Sequence, residues 1–158
     1  MRIYKKNNLY LDTSIPNFML AKESPAEQFI TKALFDEIEM GKHKGFISRV
    51  VIDEISRASE PKRTKLLSLV KDFEVLDVTP NCEILAREYI RNGTIPQKYE
   101  ADALHIAIAT IHNMDILVSW NFAHIVRVKT RKDVNAINAL LGYKSIELAS
   151  PQEVIESD

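Results

Sequence analysis

Cysteine is almost absent from this sequence, and the single residue, Cys82, excludes an internal disulfide and a cysteine-rich zinc site. Any metal would have to be held by oxygen or histidine, and hard cations such as Mg²⁺ or Mn²⁺ fit such a site best. The 4 glycines and 6 prolines are scattered singly, so there is no linker and no low-complexity segment, and no internal repeat is visible. No run approaches the roughly 20 uninterrupted apolar residues that a membrane-spanning helix needs. The opening MRIYKKNNLY also lacks the apolar stretch of a signal peptide, so a cytoplasmic protein is expected. Surplus charge is missing too. A net charge of −1 argues against a general attraction to nucleic acid, because phosphate binding needs a visible excess of Lys and Arg.

What is present fits one ordinary globular domain. The 158 residues, 46% hydrophobic and 27% charged, are enough for a core that folds alone, so a single domain over residues 1–158 is expected. Cations concentrate locally in segments 42–44, 62–65 and 127–132, the last holding Arg127, Lys129, Arg131 and Lys132. Each segment reads either as a solvated face or as a local contact for RNA.

Short apolar runs bounded by breakers predict strands over 9–11, 45–47, 74–78 and 116–118, with a weaker one over 145–148. Helical patterns lie between them, over 26–40, 50–58, 62–71, 82–91, 99–113 and 132–140. Alternating strands and helices imply a three-layer α/β/α sandwich around a mostly parallel sheet. Ligands in such sheets bind beyond the carboxyl ends of the strands, so the polar residues that follow each strand come first as site candidates.

Four places meet that description. The first strand runs into Asp12, Thr13 and Ser14, which supply a carboxylate and two hydroxyls; capping of a following helix by these residues, with Pro16 in its first turn, is the competing reading. After the second strand, Asp53 and Glu54 point about 100° apart on one helix. Asp53 has Arg49 and Arg57 four residues to either side, as on an exposed salt-bridged face, whereas Glu54 shares its side with Val50, Val51 and Ala58 and turns inward. A boundary acid reaching for solvent is the plainer alternative for Glu54. Asp102 opens a helix that is apolar nearly all round, where a carboxylate needs a pairing, a hydrogen bond or a metal. His105, one turn on, reads as a core histidine rather than a ligand. The fourth strand exits into Ser119 and Asn121, a hydroxyl and a carboxamide at the same rim, although Asn121 also suits a turn. His124 has no partner that the sequence identifies.

Acids gathered in one pocket repel each other and raise one another's pKa, so the pocket calls for cations. Mg²⁺ or Mn²⁺ there would polarise a phosphodiester and lower the pKa of a bound water, which needs no Ser, Cys or His nucleophile.

The blocks Leu9-Tyr-Leu-Asp-Thr-Ser14, Ser48-Arg-Val-Val-Ile-Asp-Glu-Ile55, Ala101-Asp-Ala-Leu-His-Ile-Ala107 and Leu117-Val-Ser-Trp-Asn-Phe122 together resemble a PIN domain, the fold of VapC-type toxin ribonucleases. Their order and separation carry the resemblance over nearly the whole chain. It implies that Asp12, Glu54 and Asp102 bind the metal directly or through water. The family often has an acid where this chain has Asn121, and the loss of that charge implies one tightly held ion, with any second ion dependent on the RNA phosphate. The resemblance further implies a homodimer and an antitoxin protein that covers the acidic pocket. Two other readings stand beside it: an inactive PIN-like scaffold, suggested by Asn121 and the near-neutral charge, and an aspartyl-phosphate enzyme. The second is disfavoured by Ser14, where the phosphatase pattern has a second Asp, and by the lack of a Lys after the fourth strand.

Overall fold

The computed structural model describes residues 6–155, so the first five and last three residues of the expected domain lie outside the described residues. Five strands form one sheet: β1 (Asn7–Leu11), β2 (His43–Ser48), β3 (Glu74–Leu76), β4 (Ile116–Val118) and β5 (Glu147–Ala149). Their order is β3-β2-β1-β4-β5, with every pairing parallel. The eight α-helices are α1 (Ser14–Met19), α2 (Pro25–Glu39), α3 (Arg49–Ser56), α4 (Lys62–Val70), α5 (Pro80–Arg91), α6 (Glu100–Ile111), α7 (Val128–Leu140) and α8 (Pro151–Val154), and a 3₁₀ turn, Gln97–Tyr99, leads into α6.

Helices cover both faces, as an all-parallel sheet requires, because neither face of such a sheet is left to water. Side chains alternate along β1. Leu9 and Leu11 enter a core with Ile15, Leu34, Ile55 and Val70 from α1 to α4, while Tyr10 enters the opposite core with Leu85, Tyr89, Ile106 and Val134 from α5 to α7. Gly45 in β2 has a packing reason: a Cβ there would stand 2.9 Å from Phe73 Cε1. The three-layer architecture expected from the sequence is therefore observed.

The strand order positions the site. From β1 the chain adds β2 and β3 on one side, then crosses back to place β4 against the other side of β1. The crevice at this reversal, beyond the ends of β1 and β4, is where open α/β sheets accept ligands.

Boundaries differ from the sequence expectation for local reasons. The six-residue α1 and the four-residue α8 are both additional to the helices expected from periodicity. α7 begins at Val128 rather than 132, because Arg127 is extended and ends the preceding loop. β5 starts at Glu147 because Asn135 takes both backbone groups of Ile146, accepting from its N–H at 2.8 Å and donating to its carbonyl at 3.0 Å. β3 ends at Leu76, since the Asp77 carbonyl is engaged by His112 Nε2 at 2.8 Å and Thr79 already caps α5.

Candidate active site

Asp12 follows β1 and is only 4% exposed. Its Oδ1 accepts from the Ser14 N–H at 3.1 Å and from the Ser14 hydroxyl at 2.5 Å, and its Oδ2 accepts from the Ser119 hydroxyl at 2.5 Å. The two serines lace the strand exits together. Ser14 Oγ accepts from the Trp120 N–H at 2.9 Å, and Ser119 Oγ accepts from the Asn121 N–H at 2.9 Å. Each hydroxyl is thus oriented by a backbone donor so that its proton points at Asp12. The capping alternative is realised in part: the helix α1 does follow with Pro16 in its first turn, and Asp12 Oδ1 accepts from the N–H of its first residue, although Thr13 at the N-cap position makes no side-chain cap bond.

Glu54 is half-buried on α3 while Asp53 beside it is exposed, as the spacing of their neighbours implied. Glu54 Oε1 accepts from Thr13 Oγ1 at 2.9 Å and bonds His105 Nε2 at 2.7 Å. His105, 2% exposed, continues inward: its Nδ1 lies 2.6 Å from the Tyr10 hydroxyl, which lies 2.7 Å from Ser48 Oγ. With Nε2–H donating to Glu54, Nδ1 accepts the Tyr10 proton and the Tyr10 oxygen accepts from Ser48, so one continuous chain orients the glutamate. His105 is the core histidine the sequence suggested, and its position under the acids gives it a second role.

Asp102, half-buried in the first turn of α6, closes the group. Its Oδ2 lies 3.3 Å from His124 Nδ1, and the imidazole of His124 is packed against Tyr99 with centroids 4.0 Å apart. Asn121 also lowers the Asp102 pKa. The Asn121 carbonyl oxygen accepts from the His124 N–H at 2.9 Å, so its side chain shapes the turn that carries His124 to Asp102.

Proton affinities report how close the charges are. Burial pushes the Asp12 carboxyl above its ordinary value, opposed by His105 and the two serines and reinforced by Asp102. Burial likewise raises Asp102 against the pull of His105, Asn121 and His124. For Glu54 burial is the largest influence, yet the bond and charge of His105, then Thr13 and Arg57, outweigh it and lower its pKa. His105 is raised: burial opposes its charged form, but the Glu54 bond and the charges of Asp12, Glu54 and Asp102 prevail. One imidazole is in electrostatic contact with all three acids.

Among the described residues no three His, Cys, Asp or Glu side chains stand close enough to form a ready-made chelate. The donor chemistry nevertheless fits a hard divalent cation. The donors are carboxylate oxygens, which suit such a cation, and burial raises the pKa of two of the three acids.

The basic residues at 127–132 have structural partners. Arg127 Nη1 donates to the Ala123 carbonyl at 2.9 Å, Lys129 bonds Asp133 at 2.9 Å and the Gly93 carbonyl at 3.2 Å, and Arg131 bonds the Leu148 carbonyl at 2.9 Å and Glu153 at 3.1 Å. Lys132 is exposed. Reasoning from sequence missed Tyr10 and left His124 without a partner, which the structure gives as Asp102. Tyr10 was detectable in principle as a polar-tipped side chain between two leucines in the buried half of β1.

A family model for the PIN domain matches residues 9–124, and the chain belongs to the PIN-domain family, whose members are in general nucleases. No curated sequence matches it significantly. Among solved structures it resembles a chain of VapBC-1 from nontypeable Haemophilus influenzae at 12% identity and TM-score 0.59, covering 92% of this chain and 98% of that one. It also resembles a chain of VapBC2 from Rickettsia felis, a structure bound to a DNA fragment from its promoter, at 16% identity and TM-score 0.56, with coverage of 90% and 98%. A third likeness is to VapBC-5 from Mycobacterium tuberculosis, of the VapBC family of toxin-antitoxin systems, at 18% identity and TM-score 0.50, with coverage of 91% and 98%. At these identities the likeness establishes a shared fold. Among the described residues no helix is long and apolar enough to cross a membrane.

Proposed function

We propose that this protein is a metal-dependent endoribonuclease acting as the toxin of a toxin-antitoxin pair. The observation that carries the reading is the placement of Asp12 at the exit of β1, Glu54 on α3 and Asp102 in the first turn of α6, with the buried His105 bonded to Glu54, at the reversal point of the sheet in a PIN-family chain. In this reading the three acids hold Mg²⁺ or Mn²⁺ directly or through water. Bound there, the ion supplies charge neutralisation for the scissile phosphodiester and acidifies a water molecule. The residues of the chain do the rest. Ser14 and Ser119 hold Asp12, Thr13 and His105 hold Glu54, and His124 holds Asp102, so each acid has a partner before RNA arrives. The partners in this reading are RNA, an antitoxin protein and a second copy of the chain, all in the cytoplasm. A neighbouring small gene for a DNA-binding antitoxin would support the toxin assignment.

The test is cleavage of a mixed structured RNA by purified protein in Mn²⁺, in EDTA, and by folded Asp12→Asn and Asp102→Asn variants in Mn²⁺. Cleavage by the parent protein with metal alone is the expected outcome. Cleavage that survives in EDTA or in both variants sinks the assignment, and silence in every lane, repeated with tRNA and ribosomal RNA, favours the inactive scaffold suggested by Asn121.

A further inference from the structure

A ribonuclease with a net charge of −1 and three clustered acids must still hold a polyanion, so its phosphate-binding charge has to be local. The groove beside Glu54, about 520 Å³ and bounded by α3, α5 and the start of α6, does not serve. It is lined by Asp53, Glu54, Glu83 and Glu100 against Arg57 and Arg87, and repels a phosphate backbone. Two of the three basic segments have their cations largely engaged. Lys44 faces Glu74 at 3.8 Å and Lys42 has a partner as well, while Arg127, Lys129 and Arg131 are bonded to carbonyls or acids.

The remaining segment differs. Lys62 and Lys65 are exposed on one face of α4, three residues apart, and with the exposed Lys22 they line a groove of about 370 Å³ between α1 and α4. None of the three makes an ion pair among the described residues, and Glu23 is the one acid in the lining. Helix α1 contributes to both the groove and the acid cluster. Asn17 in its wall lies one helical turn, about 5 Å of rise, along α1 from Ser14, which bonds Asp12. Met19, Leu20 and Pro61 add an apolar lining against which unpaired bases can rest, a contact that a duplex, with its base faces stacked away, does not offer.

We propose that the groove of Lys22, Lys62 and Lys65 is the track for the phosphate backbone of single-stranded RNA leading to the acid cluster; this rests on the ribonuclease reading above. The test is fluorescence anisotropy of a labelled single-stranded RNA with the full chain in EDTA, over a salt series, alongside cleavage in Mn²⁺. Three cations released from a single strand account for a slope of about 2 in log K against log salt, so the triple change K22A/K62A/K65A should remove that much of the slope and lower affinity about a hundredfold at about 50 mM salt. The triple Lys→Arg variant should retain the slope, and K129A/K132A should leave it unchanged, with circular dichroism showing that each variant is folded. An unchanged slope in the alanine triple, an equal loss in K129A/K132A, or no RNA binding by the parent protein overturns the track. A parent that binds through these lysines but never cleaves retains the track and sinks the nuclease reading, whereas one that cleaves with the alanine triple unimpaired does the reverse.

Discussion

His105 sits in a position that most core histidines avoid, sealed from water yet felt by three carboxylates. Replacing it with Leu would leave the Tyr10 hydroxyl with one partner fewer and free Glu54 to swing, at a cost of roughly 1–3 kcal/mol in stability. In steady-state RNA cleavage, kcat should fall by at least tenfold while KM changes little, and His105→Gln, which keeps a donor toward Glu54, should recover part of it. An unchanged kcat in the leucine variant would reduce the imidazole to packing. Asp102 tests the same electrostatics in the opposite direction. Its folded-state pKa is raised, so ionisation opposes folding: stability falls as pH rises from the unfolded carboxylate range through the raised value, and the whole penalty is present at neutral pH. Asp102→Asn removes that penalty, so in EDTA near neutral pH its melting temperature should equal or exceed the parent's although activity is lost; a drop of several degrees would mean that the His124 pairing outweighs burial. The individual acids were legible from the sequence, because an acid just after a strand, or on the apolar side of a helix, breaks a pattern. Their hydroxyl partners Thr13, Ser14 and Ser119 were candidates as well, but the buried pair beneath them was not. Tyr10 and His105 are 95 positions apart, and only the packing of α6 against one face of β1 brings them to 2.6 Å.

Elements set how firmly that geometry is held. β5 pairs only with β4, through a three-residue register, and its start is decided by a side chain from α7 rather than by its own sequence. Asn135→Ala strands both backbone groups of Ile146 and should cost about 1–3 kcal/mol, read as a lower denaturation midpoint and faster amide exchange at Glu147 and Leu148. Exchange rates unchanged from the parent would show that water replaces the carboxamide. The four-residue α8 was foreshadowed by Ser150 and Glu153, a capping-box spacing that the structure realises in both directions. α1 had a signal in its capping residues and Pro16, but its six residues gave periodicity nothing to act on. Long elements were legible for the opposite reason: α2 and α5 each complete several turns with one face in a core.

For the molecule as a whole, the reversal of strand order is the organising fact. Mn²⁺ bound only by the native state should raise the melting temperature by several degrees, since ligand at about 100 times its Kd adds about 2.7 kcal/mol. Calorimetry with Asp12→Asn as the control checks this, and equal shifts in both proteins would place the ion elsewhere. The same reversal has an implication for the order in which the chain is made. Asp12 emerges with β1 and its strand pairs with β2 soon after, yet the serine that anchors its Oδ2 and the histidine beside Asp102 come later, at residues 119 and 124. A chain still being translated, or one cut short before β4, has the earlier acids without the rim that orients them. A nuclease built this way would stay inert beside the ribosome that makes it until the residues after β4 have emerged.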